Sequence, residues 1–151
     1  MQGNIDFKEL VERIGDGVVV CDAKGAIIVW NPGCERIFGF TEADALGQSL
    51  DLIIPERQRQ RHWDGYDKTM ATGETRYGND LLRVPALHKE GKPLSIAFTV
   101  AMLHNADGSV SAIIAVVRDE TVRWTDERAL KAKITQLEAA AAAAAAAPTA
   151  P

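Results

Sequence analysis

The residues of this 151-residue chain best suited to metal or covalent chemistry are three histidines and two cysteines. His62, His88 and His104 are scattered, and Cys21 and Cys34 do not accompany them. A structural zinc site needs ligands clustered at short spacings, and that pattern is missing. No Gly-x-x-x-x-Gly-Lys phosphate loop, His-Glu-x-x-His helix or Gly-x-Ser-x-Gly elbow occurs, so no enzymatic activity is expected. Arg57, Arg59 and Arg61 alternate with Gln58 and Gln60. On a helix that spacing spreads charge around the surface and forms no stripe for nucleic acid. Cys21 reads as a small core or surface residue and not as a redox switch.

The elements that must position these residues follow from the pattern. Phe7, Leu10, Val11 and Ile14 recur at helical spacing and are stopped by Gly15-Asp16-Gly17. Val18–Val20 and Ile27–Trp30 flank Asp22-Ala23-Lys24-Gly25 as a hairpin. Asn31 and Pro32 open a short helix through Phe38, with Asn31 as its cap; as a cap alone it is worth about 1 kcal/mol. Thr41 and Asp44 form a variant capping box for another helix. Pro55 begins a longer polar helix through His62, Tyr66 and Met70, and Gly73 ends it. Leu81–Leu87, Leu94–Leu103 and Val110–Val117 read as a three-stranded meander. Strands segregated from helices give an α+β class. A last helix runs into the alanines of Ala139–Ala147 and ends near Pro148. Its Leu130, Ile134, Leu137 and Ala141 make a heptad-like seam that needs a partner, either the domain's own sheet or a second copy.

Composition narrows the setting. The chain is 46% hydrophobic and 25% charged with a formal charge of −4, which is ordinary for one soluble globular domain. Two cysteines are too few for a secreted framework. No apolar run reaches about 18 residues, so no membrane span is expected. Met1–Phe7 lacks a signal-peptide pattern, and the expected location is cytoplasmic. The mildly acidic balance offers no general attraction to nucleic acid or membrane.

Several local motifs, taken in order, resemble the PAS domain family. They are Asp16-Gly17-Val18, Asp22-Ala23-Lys24-Gly25-Ala26-Ile27, Trp30-Asn31-Pro32 and Phe38-Gly39-Phe40-Thr41-Glu42-Ala43-Asp44-Ala45-Leu46-Gly47. Met70-Ala71-Thr72-Gly73-Glu74, Lys89-Glu90-Gly91 and Arg118-Asp119-Glu120-Thr121-Val122-Arg123 complete them, with Glu120 where the family has an apolar residue. The resemblance implies a PAS fold: a five-stranded antiparallel sheet, short helices on one face and a C-terminal signalling helix. The expected divisions are an N-terminal helix over 1–14, the domain over 15–120, the signalling helix over 121–147 and a tail over 148–151. The implied function is a stand-alone sensory module that binds a small ligand. It would report through a homodimeric C-terminal helix to an unidentified signalling partner. The alternative is a ligand-free interaction and dimerisation module.

The spacing of His62 to Met70-Ala71-Thr72-Gly73-Glu74 resembles the haem-binding oxygen sensors of nitrogen-fixation kinases. That resemblance implies haem, with His62 as the iron ligand and a diatomic gas as the signal. Lys68 and Arg76 fall where those sensors place basic residues near the propionates. Leu82 stands where they place an arginine, and Leu82, Val84, Ile96 and Ile114 are the implied apolar wall. A cavity lined by Val84, Ile96, Phe98 and Ile114 would favour sensing; a sheet face packed shut would favour the interaction module. Photoactive flavin domains of the family carry a helix cysteine in an Asn-Cys-Arg-Phe motif; nothing here resembles it, and Cys34 lies in the earlier Pro32-Gly33-Cys34-Glu35 segment. A colourless organic ligand, or none with His62 an ordinary helix residue, stays open.

Overall fold

Short polar side chains start most of the helices. In the computed structural model, which describes residues 3–75 and 78–148, the Asp6 carboxylate accepts from the N–H groups of Lys8 and Glu9 and caps α1 (Phe7–Arg13). Asn31 caps α2 (Pro32–Phe38) through Cys34 N–H. Thr41 and Asp44 close the expected capping box on α3 (Glu42–Ala45). Ser49 caps a short 3-10 helix, Leu50–Ile53, which the sequence pattern did not indicate. The long helix α4 (Glu56–Thr72) has no side-chain cap and ends at Gly73 in the left-handed conformation.

The strands are β1 (Gly17–Asp22), β2 (Ile27–Trp30), β3 (Leu82–Leu87), β4 (Pro93–His104) and β5 (Val110–Asp119). They form one five-stranded antiparallel sheet in the order β2-β1-β5-β4-β3. The α+β class and the sheet implied by the resemblance are what the chain adopts. Side chains alternate between the faces of a strand, so register assigns each face. Val117 pairs with Phe98 and Phe98 with Leu82; Val84 pairs with Ile96, and Val19 with Ala115. This face packs against Cys34, Phe38, Ala45, Ile53 and Tyr66 from the helices to form the core.

Both cysteines lie in that core, where burial pushes each thiol up to about 12. Trp30 is fully buried and donates its indole N–H to the Phe40 carbonyl. Asn31 is the buried polar residue beside it. Its amide touches the end of α1, the start of β1 and the start of α2. Asp16, just ahead of β1, takes a two-pronged bond from Arg118 near the end of β5. The guanidinium holds the Asp16 carboxyl below the usual range.

The chain divides into two units, 1–119 and 120–151. The second carries α5 (Thr121–Ala146). Arg123 pairs with Glu120 and Glu127 along it, and Arg128 lies over the Trp124 ring. Leu130, Ile134 and Leu137 are all more than half exposed. Among the described residues, no helix is long and apolar enough to cross a membrane.

Candidate functional site

His62 sits in the middle of α4, one turn before Tyr66. Side chains four apart share a helix face, and Tyr66 is the buried residue of α4. Its hydroxyl donates to the Asp22 carbonyl at the end of β1, tying this face of α4 to the β1–β2 turn. His62 is therefore half-buried, and its Nδ1 is buried with no hydrogen-bond partner among the described residues. The imidazole meets Trp63 edge-to-face, centroids 4.6 Å apart at 81°, and lies 6.0 Å from the Tyr66 ring. Burial pushes the His62 pKa below its ordinary value, and the charge of Asp51 offsets part of that effect. Burial thus favours the neutral ring, the form that offers a lone pair to a metal.

A second shelf of side chains belongs to the sheet. Leu82, Val84, Ile96 and Phe98 share its core-facing side by register. Ile96 is buried, Leu82 and Phe98 are half-buried, and Val84 is 36% exposed. This is an apolar surface that the helices only partly cover. Val100 and Met102 continue the same row opposite Ala115 and Ile113, and alternation from Phe98 would have identified them.

Ile114 does not join that group. It pairs with Val20 and Ala101, on the opposite side of the sheet from Ile113, Ala115 and Val117. Residues 113–117 are all apolar, so the sequence carries no polar alternation to say which of them face the helices. Lys68 is exposed on α4, and Arg76 lies outside the described residues. His88 and His104 lie elsewhere: His88 flanks the β3–β4 turn and accepts from Glu90 N–H, and His104 ends β4. No cluster of three or more His, Cys, Asp or Glu suited to a metal exists among the described residues.

The arginine run behaves differently from a solvated array. Arg57 and Arg61 are exposed, but Arg59 is half-buried and donates to the carbonyls of Ile54 and Asp51. It thereby bonds the 3-10 helix to the first turns of α4. Asp51 and Trp63, which the sequence patterns did not single out, complete this corner: the Trp63 indole donates to Asp51 Oδ1 at 2.8 Å.

A partly buried imidazole whose Nδ1 has no partner among the described residues is a donor able to ligate haem iron, and the strand surface of Leu82, Val84 and Phe98 is apolar, as the face of a haem requires.

Comparison with known proteins gives a consistent set of similarities. A model of the PAS domain matches residues 15–122. The chain is 37% identical over 117 residues to a protein of Azorhizobium caulinodans, covering 77% of this chain and 16% of that one. It is 36% identical over 60 residues to the sensor protein FixL of Bradyrhizobium diazoefficiens, 40% of this chain and 12% of FixL. It is 25% identical over 121 residues to the oxygen sensor protein DosP of Escherichia coli, 80% of this chain and 15% of DosP. The chain thus spans about one-sixth or less of the length of these relatives. Among solved structures, the PAS domain of a protein from Colwellia psychrerythraea superposes with a TM-score of 0.66 at 21% identity, covering 76% of this chain and 94% of that one.

Proposed function

The chain belongs to the PAS domain family, and we propose that it is a haem-binding sensory module in which His62 holds the iron and the C-terminal helix carries the output. The observation that supports this most is the buried, unpartnered Nδ1 of His62. Leaving a buried polar atom unpaired costs about 1–3 kcal/mol, and ligand binding is a role that accounts for retaining it. Similarity to the sensor protein FixL and the oxygen sensor protein DosP supports the sensory part of the reading.

When bound, haem would supply an iron centre able to bind a diatomic gas. This chain's residues do the rest. His62 donates an imidazole nitrogen, and burial favours its unprotonated form. Leu82, Val84 and Phe98 provide apolar surface that excludes water. Lys68, exposed on α4, and Arg76 are the basic groups for the propionates. Two buried free thiols support a reducing, cytoplasmic setting.

Haemin titration of the purified protein tests the reading. Wild type is expected to bind one equivalent with a ligated Soret band. His62→Ala is expected to abolish that band, whereas Lys68→Ala weakens retention only a few-fold, roughly the worth of an exposed ion pair. No stoichiometric binding by wild type, or an undiminished band in His62→Ala, overturns the assignment.

For output, we take residues 121–147 as the signalling helix. The exposed seam of Leu130, Ile134 and Leu137 supports pairing with a second copy. Ile134→Glu places a charge in that seam, at a cost of several kcal/mol if buried between chains. Sedimentation of the variant is expected to shift toward monomer. A wild type that stays monomeric at high concentration removes the dimer and leaves the helix for a different signalling partner.

A further inference from the structure

The corner that holds Trp63 has a bearing on His62. Trp63 is fixed from several sides. Its indole N–H bonds Asp51 Oδ1 at 2.8 Å, and its ring stands edge-on to Tyr66, centroids 5.2 Å apart. Its six-membered ring also covers the β1–β2 turn so closely that a Cβ on Gly25 would lie 2.5 Å from Cη2. Asp51 is itself anchored. The Arg59 Nη2 donates to its backbone carbonyl at 3.3 Å, and Arg59 Nε lies 4.0 Å from its carboxylate.

Nδ1 of His62 has no hydrogen-bond partner among the described residues, and the Trp63 ring, edge-to-face at 4.6 Å, stands nearer to the imidazole than the Tyr66 ring at 6.0 Å. The charge that acts on it is that of Asp51 on the 3-10 helix, and Arg59 of α4 lies against that carboxylate. We propose that Asp51 and Trp63 are positioning residues for His62: the carboxylate sets the indole, and the indole edge sets the plane of the imidazole. The proposal rests on His62 as the binding residue, but its primary test needs no ligand. An apolar packing residue at 63 would fill the same space; an indole tied to a carboxylate fixes a rotamer as well.

The test uses the full chain labelled with nitrogen-15, free of haem, with His62→Gln to assign the imidazole signals. Asp51→Asn keeps an acceptor for the indole N–H and removes the charge. It is expected to leave the His62 ring shifts and tautomer in place, because the indole keeps its acceptor. Asp51→Leu and Trp63→Phe both remove the indole–carboxylate bond and are expected to change the ring shifts and tautomer balance. Haemin affinity should follow, falling about tenfold in Asp51→Leu and recovering in Asp51→Asn, as expected for a group that orients a metal ligand. Wild-type His62 shifts in both Asp51→Leu and Trp63→Phe, with the fold intact by circular dichroism, overturn the proposal. So does an Asp51→Asn spectrum that matches Asp51→Leu. If wild type takes no haemin while the spectra change as described, the positioning role stands and the haem assignment alone falls.

Discussion

Asn31→Ala is expected to destabilise the domain by about 4 kcal/mol, several times what a helix cap contributes. The side chain is 2% exposed. Its Oδ1 accepts from Val18 N at 2.7 Å and from Cys34 N at 3.0 Å, and its Nδ2 donates to the carbonyls of Val11 and Asp16, each at 3.0 Å. Truncation strands four backbone groups in a site that water enters poorly, and each stranded group costs about 1–3 kcal/mol before relaxation. The urea midpoint of the variant measures the loss. A value near 1 kcal/mol would reduce Asn31 to a cap, and the bonds to Val11 and Asp16 would then carry no weight.

The second large effect lies two residues on. Gly33→Ala is expected to cost more than about 3 kcal/mol or to prevent folding. A Cβ there would sit 2.6 Å from the Asp16 carbonyl carbon and 2.9 Å from Gly17 N. Both are backbone atoms, so no side chain can swing away. The first turn of α2 would have to lift off the start of β1, and the Asn31 bonds would lengthen with it. Gly65→Ala is the control. It lies in α4 with nothing within 4 Å of the added methyl, and it is expected to stabilise by about 0.5–1 kcal/mol. Comparable losses in both variants would show that the cost comes from helix effects and not from the close approach of α2 to β1.

These two positions show what the sequence discloses and what it withholds. That Asn31 caps a helix is legible from Asn-Pro, and the Thr41–Asp44 box is legible in the same way, because capping is local chemistry. The other partners of Asn31 lie 20, 15 and 13 residues earlier in the chain, at Val11, Asp16 and Val18, and no local pattern encodes them. The same limit applies to the candidate site. Strand alternation and the resemblance placed Leu82, Val84, Ile96 and Phe98 together, but Ile114 fell on the wrong face because its neighbours are uniformly apolar. Arg59 looked like one member of a charged run, and only the folded 3-10 helix reveals the carbonyls that it serves. Trp63 adjoins His62 in sequence, yet its role depends on Asp51 and Gly25, which arrive from two other segments.

The strand order has a consequence for how the molecule is made. β1 lies between β2 and β5, and the innermost β1–β5 pair joins Asp22 to Ala112, 90 residues apart. Closing a loop of that length costs roughly 3 kcal/mol more entropy than closing a four-residue hairpin. Local hairpins therefore form early, and the pairing that unites the two halves of the sheet forms last, which places folding toward the slow, millisecond-to-second range of small domains. At about 5–20 residues per second, a ribosome leaves the β1 edge waiting on the order of 5–20 s before β5 has been synthesised. During that interval Val18, Val19 and Val20 lack the β5 partner that covers them in the folded sheet, and an unpaired apolar edge is of the kind that recruits other chains.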